Sequence, residues 1–296
     1  MVSPGLLAFA VALAGMSIAS YTDVQKREVP NKISFGLIAA MIILRAIYAL
    51  QENNLFYLWL SLGIGAAFFG MGLLFFYAQQ WGGADVKLLA VLGIGFATIY
   101  PEFRPILPVS WPFFITILMN FFFIAVAYSI VYSLILAVSN KRVFPDFKAS
   151  LNRYELLFGI LLMITIFILG RYEKILYALL AAPVFWFLTK FLRSVDKNCM
   201  YKKTKVDKLV EFDVPEHDIK SGKKIIVNSK DPNGITLEQI AQLKKYVRAG
   251  KLKNEFNVKW GIPLIPVFPI TLVASLYFGD IYFALVRWIV FGRIIF

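Results

Sequence analysis

Two aspartates stand apart from the other acids of this 296-residue chain. Asp23 lies in Tyr21-Thr22-Asp23-Val24-Gln25-Lys26-Arg27-Glu28-Val29-Pro30-Asn31, between two apolar runs. Asp85 lies in Trp81-Gly82-Gly83-Ala84-Asp85-Val86-Lys87-Leu88, between the next two. Two carboxylates sharing one proton can activate a water and protonate an amide leaving group, because mutual repulsion keeps one of them protonated. Gly82 and Gly83 predict a tight turn before Asp85 and close approach of another chain. The plainer alternative is structural. An Asp at the start of a helix commonly caps it or meets its dipole, which suits Asp85, and Asp23 can pair with Lys26 or Arg27. Residue types and spacing leave both readings open.

The elements that would position these acids are apolar. The chain is 59% hydrophobic and only 17% charged, against about 45–50% and about 25% in soluble domains. Residues 3–21, 55–80, 106–140 and 260–279 contain no Lys, Arg, Asp or Glu, and roughly 20 apolar residues span a bilayer. Eight helices are predicted, over 3–21, 33–50, 55–78, 85–99, 112–137, 155–170, 174–192 and 261–280. The sixth and seventh are short enough to form one irregular hairpin, so the expectation is a polytopic all-α membrane protein of six to eight transmembrane helices.

Lys26, Arg27, Lys32, Lys87, Lys141, Arg142, Lys148 and Arg153 fall in alternate loops, whereas the intervening loops hold only Arg104, Arg171 and Lys174. Basic residues concentrate on the cytoplasmic side, so this bias predicts an N-terminus outside and both aspartates at the cytoplasmic boundary. Arg45, near an outer helix end, is expected to snorkel.

Residues 193–260 are of another character, with sixteen Lys/Arg, nine Asp/Glu and a net +7. A strand over Lys223–Val227 and a capped helix over 236–250, with Ile240, Leu243 and Val247 inward and Gly250 as its stop, predict a small α+β cytoplasmic domain. The expected partition is 1–192 as the membrane domain, 193–260 as the basic domain, and 261–296 as a last transmembrane helix and C-terminal tail, the tail being an interfacial helix or the end of a longer span. The formal charge of +13 resides mostly in loops and in this domain, and no nucleic-acid module is visible, so membrane lipid rather than nucleic acid is the expected contact.

The motifs carry a resemblance to a known family. Asp23-Val24-Gln25-Lys26-Arg27-Glu28-Val29-Pro30-Asn31 is similar to the Asp-x-x-x-Arg-x-Ile-Pro-Asn segment of type IV prepilin peptidases. Gly82-Gly83-Ala84-Asp85-Val86-Lys87 resembles their Gly-x-Gly-Asp-x-Lys motif, shared in part with presenilin-like proteases, with Ala84 in place of the second glycine. The segment from Gly234 to Pro263 resembles the small soluble domain of archaeal preflagellin peptidases. The resemblance implies a membrane aspartic endopeptidase with Asp23 and Asp85 catalytic. Its expected partners are archaellin-type or pilin-like precursors, and no metal or cofactor is implied. Bacterial relatives carry paired Cys-x-x-Cys motifs and an N-methyltransferase activity, not expected here with Cys199 the single cysteine. Glu28, Gly82, Gly83 and Lys87 are candidate substrate-binding residues. Solvation suits Glu28 as well, and membrane-surface anchoring suits Lys87 as well.

Other protease classes fail on inventory. The single histidine, His217, lies in the polar segment, which leaves no base for a membrane serine nucleophile and no His-Glu-x-x-His cluster for zinc. Gly63, Gly65, Gly70 and Gly72 are expected to serve close helix packing. A secondary transporter is the alternative from another class, but it calls for carboxylates near the midplane in broken helices. A non-catalytic membrane assembly or lipid-binding protein using the basic domain is a further alternative, which leaves the two Asp segments unexplained.

Overall fold

The structure is a computed structural model that describes residues 3–291, except Gln79, Lys174, Ile175, Tyr177, Ala178, Lys223, Lys230, Pro232 and Asn233. Helix α1 spans Pro4–Lys26, and Ser3 caps it by accepting from the Leu6 amide, with Pro4 at the first helical position. It ends where Arg27 turns left-handed (φ 57°) and donates its amide to the Asp23 carbonyl. Helices α2 (Asn31–Gln51), α3 (Phe56–Tyr77), α4 (Gly83–Gly95) and α5 (Phe113–Ser139) follow. Next come α6 (Val143–Ser150), α7 (Arg153–Leu169) and α8 (Ala181–Cys199). The chain then enters short strands β1 (Tyr201–Thr204), β2 (Ile219–Ser221) and β3 (Lys224–Val227), helix α9 (Leu237–Arg248) and strand β4 (Phe256–Lys259). It closes with α10 (Val267–Phe278) and α11 (Ile281–Phe291).

Among the described residues four helices, α1, α2, α3 and α5, are long and apolar enough to cross a membrane. Two bent pairs, α6 with α7 (85°) and α10 with α11 (67°), raise the number to six if each counts as one span. Several apolar helices of this kind make a multi-pass membrane protein. The eight predicted helices differ from this in three places. The last, predicted at 261–280, is found as the 12-residue α10 (Val267–Phe278) bent by 67° from α11. The fourth has only 13 residues, about 20 Å of helix, too short to cross a bilayer alone. The seventh, predicted at 174–192 and partly outside the described residues, is found at Ala181–Cys199, with Lys190, Arg193 and Lys197 in its second half.

Packing divides the chain into two compact units. One is Met1–Ile130, Glu173–Ile175 and Pro263–Phe296, and the other is Val131–Tyr172 and Leu176–Ile262. The partition expected at 192/193 and 260/261 followed hydropathy, whereas these units follow contact. In the first unit, α4 packs against α2 and α3, and α1 packs against α2 and α10. Its core gathers Met16, Met41, Leu88, Leu92, Phe96, Phe121, Phe268 and Leu272.

The α3–α4 seam is set by glycines seven residues apart, about two helical turns. A methyl at Gly72 would lie 3.0 Å from the Val86 Cα, and one at Gly65 would meet the Ile94 side chain at 2.2 Å. Gly63 and Gly70 have open space instead, so only half of the expected small-residue set serves this packing.

Arg45 corrects another expectation. Rather than snorkelling it is fully buried, donating through Nε to the Ile94 carbonyl (3.3 Å) and through Nη2 to the Thr98 carbonyl (2.7 Å). Its guanidinium sits 4.2 Å from the Tyr100 ring centroid. The last carbonyls of a helix carry partial negative charge and lack intrahelical donors, so a cation there is stabilising.

In the second unit, β1 pairs antiparallel with β4, and β2 with β3. Helix α9 begins in a capping box, the Thr236 hydroxyl taking the Gln239 amide and the Gln239 side chain taking the Thr236 amide. Ile240 and Leu243 are buried beside Val227, Ile235 and Val258, and Gly250 (φ +67°) ends the helix.

Candidate active site

Asp23 belongs to the last turn of α1 rather than to a loop, because that helix continues to Lys26. A carboxylate there meets the negative end of the helix dipole and must find another donor. That donor is the backbone amide of Ile265, 3.4 Å from Oδ2, in the stretch leading into α10. Asp85 sits in the first turn of α4 and is 8% exposed. Its Oδ2 takes the Gly82 amide at 2.8 Å, so the capping role is real for one oxygen. Its Oδ1 is buried and accepts no hydrogen bond among the described residues, an arrangement that costs free energy in a residue serving only as a cap.

No hydrogen bond joins the two carboxylates among the described residues, yet they are close enough for the charge of Asp23 to act on Asp85. The end that carries Asp85 is tied to the start of α2. The Lys87 ammonium donates to the Asn31 side-chain carbonyl at 2.5 Å and lies 4.7 Å from the Phe35 ring centroid. This joins the start of α4 to the start of α2, four residues beyond Arg27. On the other side, Trp81 stacks on Phe75 at 4.6 Å and meets Phe121 edge-on at 5.7 Å, fixing the chain ahead of Gly82.

Of the remaining candidates, Glu28 is exposed in the α1–α2 connection. Gly82 is extended (φ −83°, ψ 163°), and a methyl placed on Gly83 would meet nothing within 4 Å. The close approach of another chain expected there is not found at Gly83 among the described residues. Gly82 contributes its amide instead. The sequence reading missed Ile265, since a backbone amide leaves no residue-type signal, and it missed Asp280. Asp280 is buried, takes the Ser110 amide at 2.7 Å and is hydrogen-bonded by the Thr116 hydroxyl. With Asn120, which donates to Ser275 Oγ (3.0 Å) and the Gly279 carbonyl (2.7 Å), it holds the bend between α10 and α11. Among the described residues, no three His, Cys, Asp or Glu side chains gather as a metal site.

Comparison with known proteins bears on what this arrangement does. The family model for the type IV leader peptidase family matches residues 10–139, which contain both aspartates. A prepilin peptidase of Methanothermobacter thermautotrophicus is 21% identical over 377 aligned positions, covering 95% of this chain and 97% of that protein. No solved structure matches the chain. The leader peptidase match and the similarity along nearly the whole chain support a protease that cleaves leader peptides.

Proposed function

We propose that this chain is a membrane aspartic endopeptidase that removes the short basic leader from archaellin-type or type IV pilin-like precursors, with Asp23 and Asp85 as its catalytic pair. The observation that carries the reading is the half-satisfied carboxylate of Asp85, buried within electrostatic reach of Asp23 in the first helical turn after Gly82. In this scheme the ionised member takes a proton from water while the water oxygen attacks the scissile carbonyl carbon. The protonated member stabilises the resulting oxygen and then gives its proton to the leaving amide nitrogen. Burial strengthens both interactions, since charge is poorly screened where water is scarce.

The same ends of α1, α2 and α4 carry the basic loop residues expected on the cytoplasmic face. A cut there would fall between the charged leader and the apolar helix of a precursor, and the exposed Glu28 offers a carboxylate to the basic leader. Lys87 is better placed to hold the Asn31 end than to meet substrate, given its contacts with Asn31 and Phe35.

The test is precursor cleavage by the purified full chain. Asp23→Asn and Asp85→Asn should each abolish it, and the double variant should be no worse than either, because paired groups acting on one water lose their effect together. Asp207→Asn, an exposed acid of the basic domain, should cleave normally. Robust cleavage by a folded Asp23→Asn or Asp85→Asn protein would overturn the assignment.

A further inference from the structure

A cleft of about 440 Å³ lies between α6 and α8, lined by Asp146, Ala149 and Ser150 on one side and Lys190, Arg193 and Lys197 on the other. Its size is that of a small-molecule site, about 300–1,000 Å³. The three cations follow one another at intervals of three and four residues, so they share one face of α8. Two of them are held in place. Lys190 bonds Glu155 at 2.5 Å and the Ser150 carbonyl at 3.0 Å, and Lys197 bonds Asp146 at 2.6 Å. Asp146 also receives Ser194 and Asn198, so its charge is committed to these partners. Among the described residues Arg193 makes no ion pair, and its guanidinium is exposed between the two fixed ammonium groups.

The surroundings place this cation at an apolar-to-polar boundary. Helix α6 turns by 85° into α7, so it lies across the axis of that apolar helix. Leu157 and Phe158 of α7 are 57% and 67% exposed, and Phe185 of α8 is 67% exposed, one turn and more before Lys190. Phe144 of α6 is half exposed as well. Lys190 itself lies 4.9 Å from the Trp186 ring centroid, and tryptophan beside lysine is the pairing of a membrane–water interface. Apolar surface thus gives way to three cations at the level of the cleft, which is where a bilayer presents its headgroups.

We infer that the α6–α8 cleft is a binding site for the phosphate headgroup of an anionic phospholipid. Arg193 supplies the uncompensated charge and a planar fork for the phosphate oxygens, Lys190 and Lys197, held by Glu155 and Asp146, flank it with further N–H donors, and the exposed apolar residues of α7 and α8 receive the acyl chains. Basic pockets beside membrane helices select such lipids by this combination of charge and depth.

The experiment uses the purified full chain in detergent, titrated with dioleoyl phosphatidylglycerol or dioleoyl phosphatidylcholine, with retained lipid counted by native mass spectrometry. Phosphatidylglycerol should be retained preferentially. Arg193→Gln should weaken its retention about fivefold, the order expected for one cation at an anionic surface. Ala149→Trp, which fills the cleft, should reduce retention to the phosphatidylcholine level. Lys148→Gln, a neighbouring exposed cation outside the lining, should change it less than twofold. Equal retention of the two lipids would overturn the inference, as would an unchanged Arg193→Gln or an equal loss in Lys148→Gln. Complete displacement by millimolar inorganic phosphate would also overturn it, by showing that the occupant is free phosphate and not lipid. Arg193 is exposed, so its variant remains decisive even if Ala149→Trp fails to fold.

Discussion

Gly72 offers the sharpest test of how α3 positions α4, which carries Asp85 of the proposed pair. In Gly72→Ala the new methyl would lie 3.0 Å from both Cα and Cγ1 of Val86 and 3.3 Å from its Cβ. Ordinary carbon contacts need about 3.5–4.0 Å, so the helices must separate locally by about 0.5–1 Å. One of the crowded atoms is backbone, and no rotamer change can relieve it. Overpacking of this kind costs about 1–3 kcal/mol. The displaced residue adjoins Asp85, and a misplacement of about 1 Å at a reacting group can cost about a hundredfold in rate. Gly72→Ala is therefore expected to lose about ten- to a hundredfold in kcat for precursor cleavage, with a lower unfolding midpoint in detergent. Gly70→Ala, two residues away on the same helix with nothing within 4 Å, should cleave at the normal rate. A Gly72→Ala protein with normal kcat and midpoint would refute the claim that this seam sets the position of Asp85.

Arg45→Met should lower stability by about 2–4 kcal/mol, since it leaves the Ile94 and Thr98 carbonyls unpaired at the buried end of α4; thermal unfolding measures this, and Arg45→Lys, which cannot fork between two carbonyls, should fall between. Asn120→Leu should cost about 2–4 kcal/mol and loosen the α10–α11 bend, because Ser275, Gly279 and the Tyr282 amide all lose their shared partner; hydrogen exchange over 275–284 reports it. In the basic domain, the Ser229 amide, then its hydroxyl and Lys220, hold the Asp218 carboxyl below its ordinary value. A lowered acid stabilises the fold at pH above the ordinary carboxyl range and loses that contribution as the pH falls through the folded value. Asp218→Ala should thus speed exchange of the β3 amides at pH 7, and the difference from the native chain should vanish in acid; a difference that persists there would refute the linkage.

Much of the architecture and the candidate pair was legible in the residues alone. The charge-free runs announced membrane helices because a bilayer admits no unpaired charge cheaply. Thr236 and Gln239 announced α9 because capping is a local matter of three residues. Asp23 and Asp85 stood out because acids next to apolar runs are rare and these two sit in family-like motifs. What needed the tertiary structure is which side of each helix does what. Gly72 touches Val86 while Gly70 touches nothing, Arg45 turns inward, and the Ile265 amide reaches Asp23 across more than two hundred residues. In a soluble helix a polar face would have marked the outside. In lipid the outer surface is as apolar as the core, so the residue pattern of α3 carries no sign of which glycines meet a neighbour, and only the packed helices decide it.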